Sequence, residues 1–304
     1  MTWGLGFAGL GWLGESLLKD LPAFPTLRLA AVQDVRADLV ERYAGPWHGT
    51  DYAEMLAAPG VDAVVISTPN ALHVPQAQAA LRAGKHVLVQ KPLALACADA
   101  QATIDLAAQV GRLLFVDYTY RFLQTVQVLR RSMSDRPRHV RAKFHNIYGP
   151  GQEKTWFFDP RLSGGGALVD LGVHLLDLAL WLLEPDTVRL EHAELRGGPP
   201  VETAARLDLR LDEVPFELEV SWNAPLPQTE IAFEMNDLVW ENVDGSFFHF
   251  RTRLADHVLA DRETTLRADT LQALVTALET QTAPPIDLRV YSLLEQALRR
   301  RLQH

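Results

Sequence analysis

The sequence predicts an N-terminal α/β domain with a parallel sheet, followed by a C-terminal α+β domain, and three observations predict them. Short apolar runs alternate with helical patterns through the first 117 residues. Strict period-two alternation marks residues 186–250. Helical patterns return at Leu266–Glu279 and Arg289–Leu302, separated by Pro284-Pro285.

In chain order, the strand-like runs of the first domain are Trp3–Ala8, Leu27–Gln33, Ala63–Ser67, His86–Val89 and Leu113–Val116. Between them lie the helical stretches Leu13–Asp20, Ala37–Tyr43, Ala71–Ala83 and Ala94–Val110. Strands this rich in Val and Leu, with no polar face, need cover on both sides, and helices on both faces of a parallel sheet provide it. This domain is read over residues 1–118. Beyond it, Leu207-Asp208-Leu209-Arg210-Leu211 and Phe216-Glu217-Leu218-Glu219-Val220 alternate apolar and polar. That pattern fits antiparallel strands covered on one face, in a second domain read over 119–304.

The chain has 304 residues, with 29 basic against 38 acidic side chains and a net charge of −9. Such a surface repels phosphate backbones and anionic lipid, which argues against nucleic acid and membrane as partners. One cysteine, Cys97, forbids an intrachain disulfide or a Cys-based zinc site and reads as a small buried filler. No Lys or Arg precedes Glu15 and five glycines fall in the first fourteen residues, so the start does not read as a signal peptide. No uncharged apolar run approaches the ~18 residues of a membrane span, and a cytoplasmic location is expected.

Gly9, Gly11 and Gly14 form G-x-G-x-x-G between a strand and a helix, and Asp34 follows Gly14 by 20 residues at the end of the next strand. This is the context of a Rossmann-type dinucleotide site. Gly9 permits the tight turn, Gly11 lets the backbone approach a diphosphate, and Gly14 lets helix and strand close up. Trp12 and Leu13 sit inside the fingerprint and count as cofactor residues with it. A carboxylate at Asp34 accepts from ribose hydroxyls and repels a 2′-phosphate, which points to NAD, while nearby Arg36 keeps NADP open. The bland alternative for Asp34 is a helix N-cap.

Ligands of open α/β sheets bind at strand C-termini, where Thr68-Pro69-Asn70 and Gln90-Lys91-Pro92 lie. Thr68, Asn70, His73, Gln90 and Lys91 are the further cofactor candidates, although a histidine in the position of His73 also suits capping or packing. Lys91, ending a buried strand, is placed to donate to a substrate oxygen.

Residues 164–181, opening on Gly164-Gly165-Gly166, read as a buried helix interrupted by Asp170, His174 and Asp177. The spacing i, i+4, i+7 puts the three on one face, where they must meet partners or a ligand. A histidine between carboxylates suits proton transfer near neutrality. No third ligand stands near His174 and Asp177, so no metal site is expected. The glycines either let backbone pass close to a ligand or merely form a loop.

With these residues assembled, nearly the whole chain resembles the glucose–fructose oxidoreductase / inositol dehydrogenase / MocA family. The resemblance rests on the glycine fingerprint, Thr68-Pro69-Asn70-x-x-His73, Ala83-Gly84-Lys85-His86-Val87, Lys91-Pro92, Arg121-Phe122, and Gly164-Gly165-Gly166 leading to Asp170-x-Gly172-x-His174-x-x-Asp177. It implies a second domain with a large open, mostly antiparallel sheet that commonly makes the oligomer interface, hence a homodimer or homotetramer. It implies NAD(P)-dependent oxidation or reduction of a sugar, polyol or related hydroxy compound. The family's catalytic lysine, aspartate and histidine map onto Lys91, Asp170 and His174, which also touch substrate. Tyr120, Arg121 and Trp156 are the other substrate candidates, and Asp177 is expected to hold the His174 ring. Two departures stand out: Gln90 replaces the usual Glu of Glu-Lys-Pro and removes a negative charge beside Lys91, and Thr119 replaces an asparagine. Two alternatives stay open, a glycosidase or epimerase that uses NAD as a transient hydride store, and a dinucleotide-binding regulatory protein without turnover.

Overall fold

The computed structural model describes residues 2–43, 47–148, 155–223 and 229–301. The chain divides into two units. One runs to Asp117 and takes in Arg267–Ile286, and the other comprises Tyr118–Leu266 and the chain from Asp287 onward. The expected single boundary after residue 118 is therefore corrected. The helix Arg267–Thr280 packs on the helix Trp12–Asp20, and Thr270 Oγ1 donates to Asp117 Oδ1 at 2.9 Å.

The first unit holds β1 (Trp3–Ala8), β2 (Leu27–Gln33), β3 (Trp47–Gly49), β4 (Ala63–Ile66), β5 (His86–Gln90) and β6 (Leu114–Asp117) in one parallel sheet ordered β3-β2-β1-β4-β5-β6. Strand order reverses at β1 and β4, so the loops after these two strands open the crevice where such sheets bind ligands. Ala63-Val64-Val65-Ile66 is buried on both faces, as its composition requires. The stretch expected as Ala71–Ala83 is a 3₁₀ turn, Asn70–Leu72, running into the helix His73–Arg82. Cys97, expected to be buried, instead opens the helix Cys97–Val110 and is half-buried.

The second unit holds β7 (Val140–His145), β8 (Val188–Arg196), β9 (Ala204–Leu211), β10 (Val214–Ser221), β11 (Glu230–Met235), β12 (Leu238–Asn242), β13 (His249–Leu254) and β14 (His257–Glu263). They form one sheet ordered β14-β13-β12-β11-β7-β10-β9-β8, antiparallel except for the parallel pair β7–β10. Leu207, Leu209, Leu211, Phe216, Leu218 and Val220 point to the buried face, on the alternation read from the sequence. The helical stretch Pro160–Leu183 has the length and composition to cross a membrane, but 83% of its apolar window is buried within the fold.

The opposite face of this sheet carries ion pairs: Arg210–Glu191 at 3.0 Å, Arg253–Glu241 at 3.0 Å, Arg251–Asp261 at 2.7 Å, and Lys143 against Glu230. Leu254, Val258 and Leu259 are exposed on β13 and β14.

Candidate active site

In the first unit, the fingerprint loop is locked at two glycines and open at the third. Gly9 has φ +89°, and a Cβ there would lie 2.7 Å from Ser67 O. A Cβ on Gly14 would lie 2.1 Å from Gly9 O. A Cβ on Gly11 would meet no atom within 4 Å. Gly11 is also the N-cap of the helix Trp12–Asp20, whose first turn has no side-chain cap. The space beside Gly11 thus lies at the positive end of the helix dipole, a fit for the diphosphate of a dinucleotide. Trp12 is 54% exposed beside them, with the Arg267 guanidinium 5.2 Å from its ring centroid.

Asp34 directly follows β2 and braces this loop. Its Oδ2 accepts from Leu10 N at 2.7 Å, and its Oδ1 accepts from Arg36 N at 2.9 Å and Arg36 Nε at 3.3 Å. It is not the N-cap of the next helix, Ala37–Val40, whose N-cap is Arg36. Oδ2, with one donor, keeps a second lone pair for a ribose hydroxyl.

The two loops farther along the sheet are tied together by His73, which is 1% exposed. Its Nδ1 lies 2.7 Å from Pro92 O and its Nε2 2.9 Å from Thr68 O. Burial lowers its pKa, while the two carbonyls pull the other way. Both ring nitrogens are engaged by backbone carbonyls, so His73 joins the Thr68 loop to the Lys91 loop. Thr68 Oγ1 in turn donates to Gln76 Oε1 at 2.6 Å, and Asn70 is buried. The Gln90 side chain runs along the sheet, donating from Nε2 to Asp117 Oδ2 at 2.7 Å. Lys91 is half-buried, and its bond to Pro92 is cis.

In the second unit, Gly164 caps the helix Pro160–Ser163 with φ +78° and Gly166 serves close packing. A Cβ on Gly166 would sit 1.7 Å from Glu202 O. Glu202 is fully buried, and its Oε1 accepts from Gly166 N at 2.7 Å and Leu168 N at 3.2 Å, capping the helical segment. That segment opens as a π-helical turn, Leu168–Gly172, before the α-helix Val173–Leu183. The wider turn changes the angular offset between Asp170 and His174 that an unbroken α-helix would set.

The polar stripe is consequently split among different partners. Asp170 Oδ2 accepts from Trp222 Nε1 at 3.1 Å. The half-buried His174 ring lies 4.9 Å from the Tyr120 ring and 6.3 Å from that of Phe144. Asp177 accepts from Arg121 Nε at 2.6 Å and from Arg121 Nη2, with both side chains buried. Burial pushes the Asp177 pKa up to about 7, against the lowering pull of Arg121. The expectation that Asp177 holds the His174 ring is corrected, since its carboxylate is committed to Arg121.

Two of the expected substrate residues are buried in the second unit. Arg121 is buried on Asp177 and lies 5.1 Å from the Tyr118 ring centroid, and Tyr120 packs among Phe144, Trp240 and Phe250. Trp156 is half-buried, edge-on to Phe157 at 4.3 Å, and Phe157 stacks on Trp222. Among the described residues, no group of three His, Cys, Asp or Glu side chains is arranged to hold a metal.

Residues 4–118 match the GFO/IDH/MocA family model, an oxidoreductase family with an NAD-binding Rossmann fold, and residues 122–239 match the family's C-terminal domain. The chain belongs to the GFO/IDH/MocA family. A 1,5-anhydro-D-fructose reductase of Ensifer adhaerens is 34% identical over 160 residues, 50% of this chain and 48% of that protein. A D-glucoside 3-dehydrogenase of Escherichia coli (strain K12) is 32% identical over 167 residues, 52% of this chain and 47% of that one. The chain thus spans about half the length of the curated relatives it matches. A solved levoglucosan dehydrogenase in complex with NADH and levoglucosan shares the fold, with a TM-score of 0.83 over 98% of both chains at 17% identity.

Within this GFO/IDH/MocA chain, four supporting residues escaped the sequence reading: Asp117, Glu202, Trp222 and Thr270. Asp117 had a visible signal, a lone acid closing an apolar strand. Glu202, Trp222 and Thr270 had none, because each meets its partner across 36 to 153 residues of chain.

Proposed function

We propose that this chain is an NAD(P)-dependent dehydrogenase acting on a secondary alcohol of a sugar, polyol or related hydroxy compound. The observation that carries the reading is the fingerprint loop, shut at Gly9 and Gly14 and open at Gly11 beside Asp34. The cofactor, when bound, supplies the hydride acceptor. The backbone of Gly11, Trp12 and Leu13 holds its diphosphate, and Asp34 accepts from its ribose hydroxyls. The Arg36 side chain rests on Asp34, which favours NAD over NADP.

Lys91 donates a hydrogen bond to the substrate oxygen and stabilises the alkoxide as it develops. His174 takes the hydroxyl proton as general base. Asp170 accepts a hydrogen bond from the substrate and is steadied by Trp222. Trp156 is proposed at the edge of the substrate pocket.

The test has two stages. NAD and NADP are titrated against tryptophan fluorescence, with Trp12 as the reporter. Nicotinamide reduction is then followed at 340 nm with levoglucosan, scyllo-inositol and methyl glucosides. Tighter NAD binding and turnover of one of these alcohols are expected. His174→Ala should lower kcat by about 100-fold or more while cofactor affinity stays within about threefold. Equal losses in both would remove His174 from proton transfer, and failure of a folded protein to bind either cofactor would end the reading.

A further inference from the structure

Gln90 and Asp117 face each other as register partners at the C-terminal ends of β5 and β6. Asp117 is 0% exposed. Burial of a carboxylate is tolerable only where donors meet its oxygens. Two donors converge here, Gln90 Nε2 on Oδ2 at 2.7 Å and Thr270 Oγ1 on Oδ1 at 2.9 Å. A carboxylate at position 90 would bring two acids together in a buried sheet, where one would have to take up a proton or the strand end would have to move. Asp117 therefore accounts for the amide at position 90, and the negative charge missing there is present one hydrogen bond away. Lys91 is the next residue, and on its other side the Pro92 carbonyl is engaged by His73 at 2.7 Å. Both chain neighbours of Lys91 are thus anchored.

We propose that Asp117 is a positioning residue for Lys91, acting through the Gln90 amide: the buried carboxylate of β6 fixes the end of β5 and thereby sets where the Lys91 ammonium stands. The proposal rests on the reading of Lys91 as the donor to the substrate oxygen.

A charge transposition tests it. Gln90→Glu alone should lower the melting temperature by about 5–10 °C and kcat by about tenfold or more, with the KM for NAD within about threefold. The double variant Gln90→Glu/Asp117→Asn restores one carboxylate and one amide with donor and acceptor exchanged. It should recover the melting temperature, and kcat to within about threefold of wild type. A double variant no better than Gln90→Glu overturns the proposal. So does one that recovers thermal stability while kcat stays tenfold down, because the pair would then stabilise the sheet without placing Lys91. If the wild-type protein binds NAD but oxidises none of the alcohols, the dehydrogenase reading fails separately. The transposition is then read on acylation of Lys91 by acetic anhydride, measured by peptide mass spectrometry against Lys85 as internal reference. The Lys91-to-Lys85 ratio should depart about threefold in Gln90→Glu and return in the double variant, and an unmoved ratio overturns the proposal.

Discussion

The two glycine-rich segments of this chain use the same residue for opposite ends. In Gly9–Gly14 the middle glycine borders open space, and in Gly164–Gly166 the last glycine lies against the Glu202 backbone. The difference teaches that a glycine cluster marks close approach, and that only the surroundings say whether a ligand or the protein itself approaches. Substitution separates the two cases. Gly166→Ala places a methyl group 1.7 Å from Glu202 O. With backbone on both sides there is no flexible group to yield, so a loss of about 4 kcal/mol or more is expected. That corresponds to a melting temperature about 10 °C lower, or to protein that fails to accumulate. Gly11→Ala should change the melting temperature by no more than about 2 °C and weaken NAD binding about tenfold or more. Thermal melts and fluorescence titrations of the two variants check this, and equal thermal losses would erase the distinction.

Glu202 sharpens the same comparison. The first glycine loop leaves its helix N-terminus open, whereas the second has its backbone N–H groups filled by a buried carboxylate. Glu202→Ala strands the N–H groups of Gly166 and Leu168, at a cost of about 3 kcal/mol. Glu202→Gln keeps an acceptor oxygen and should lose about half as much. Urea denaturation of both variants measures this. If the two are equally destabilised, the side-chain oxygen is not what holds the turn.

The two units also differ in how much could be read from sequence. β1 and β2 have the bounds read from the sequence, because uninterrupted apolar runs between turn residues are a local signal. β3 (three residues) and the helix Tyr52–Ala57 went unread, being too short to show a period. Asp170, His174 and Asp177 stood out as polar residues in a buried helix, a signal that survives whatever the partners are. Their partners did not stand out. Arg121 reaches Asp177 across 56 residues, and Trp222 reaches Asp170 across 52. Tertiary contacts of that separation leave no trace in spacing. The π-helical turn is equally silent, since it arises where Gly166 and Leu168 dock on Glu202.

A smaller effect separates hydrogen bonding from packing behind Asp170. Trp222→Phe keeps an aromatic ring against Phe157 but removes the N–H that Asp170 accepts. A stability loss of about 1 kcal/mol and a kcat about three- to tenfold lower are expected, with cofactor affinity unchanged. An unaltered kcat would mean that Asp170 needs no support from Trp222.

The smallest effect lies in the first unit, at the tie between its two loops. Burial, the largest influence on His73, lowers its pKa in the folded chain, with Lys91 nearby acting in the same direction. The unfolded chain therefore binds more protons than the folded one in the window just below the ordinary histidine value of about 6.5. Stability from His73 is complete above that value and is lost as pH falls through the window. Unfolding free energies of the wild type, measured by urea at intervals from pH 8 to 5, should decline on the acid side more steeply than those of His73→Asn. Asparagine can still donate to one of the two carbonyls but takes up no proton, so the difference between the curves isolates the histidine. Parallel curves would mean that His73 carries the same proton count folded and unfolded. The two carbonyl oxygens at 2.7 and 2.9 Å would then be holding a charged ring against the cost of its burial.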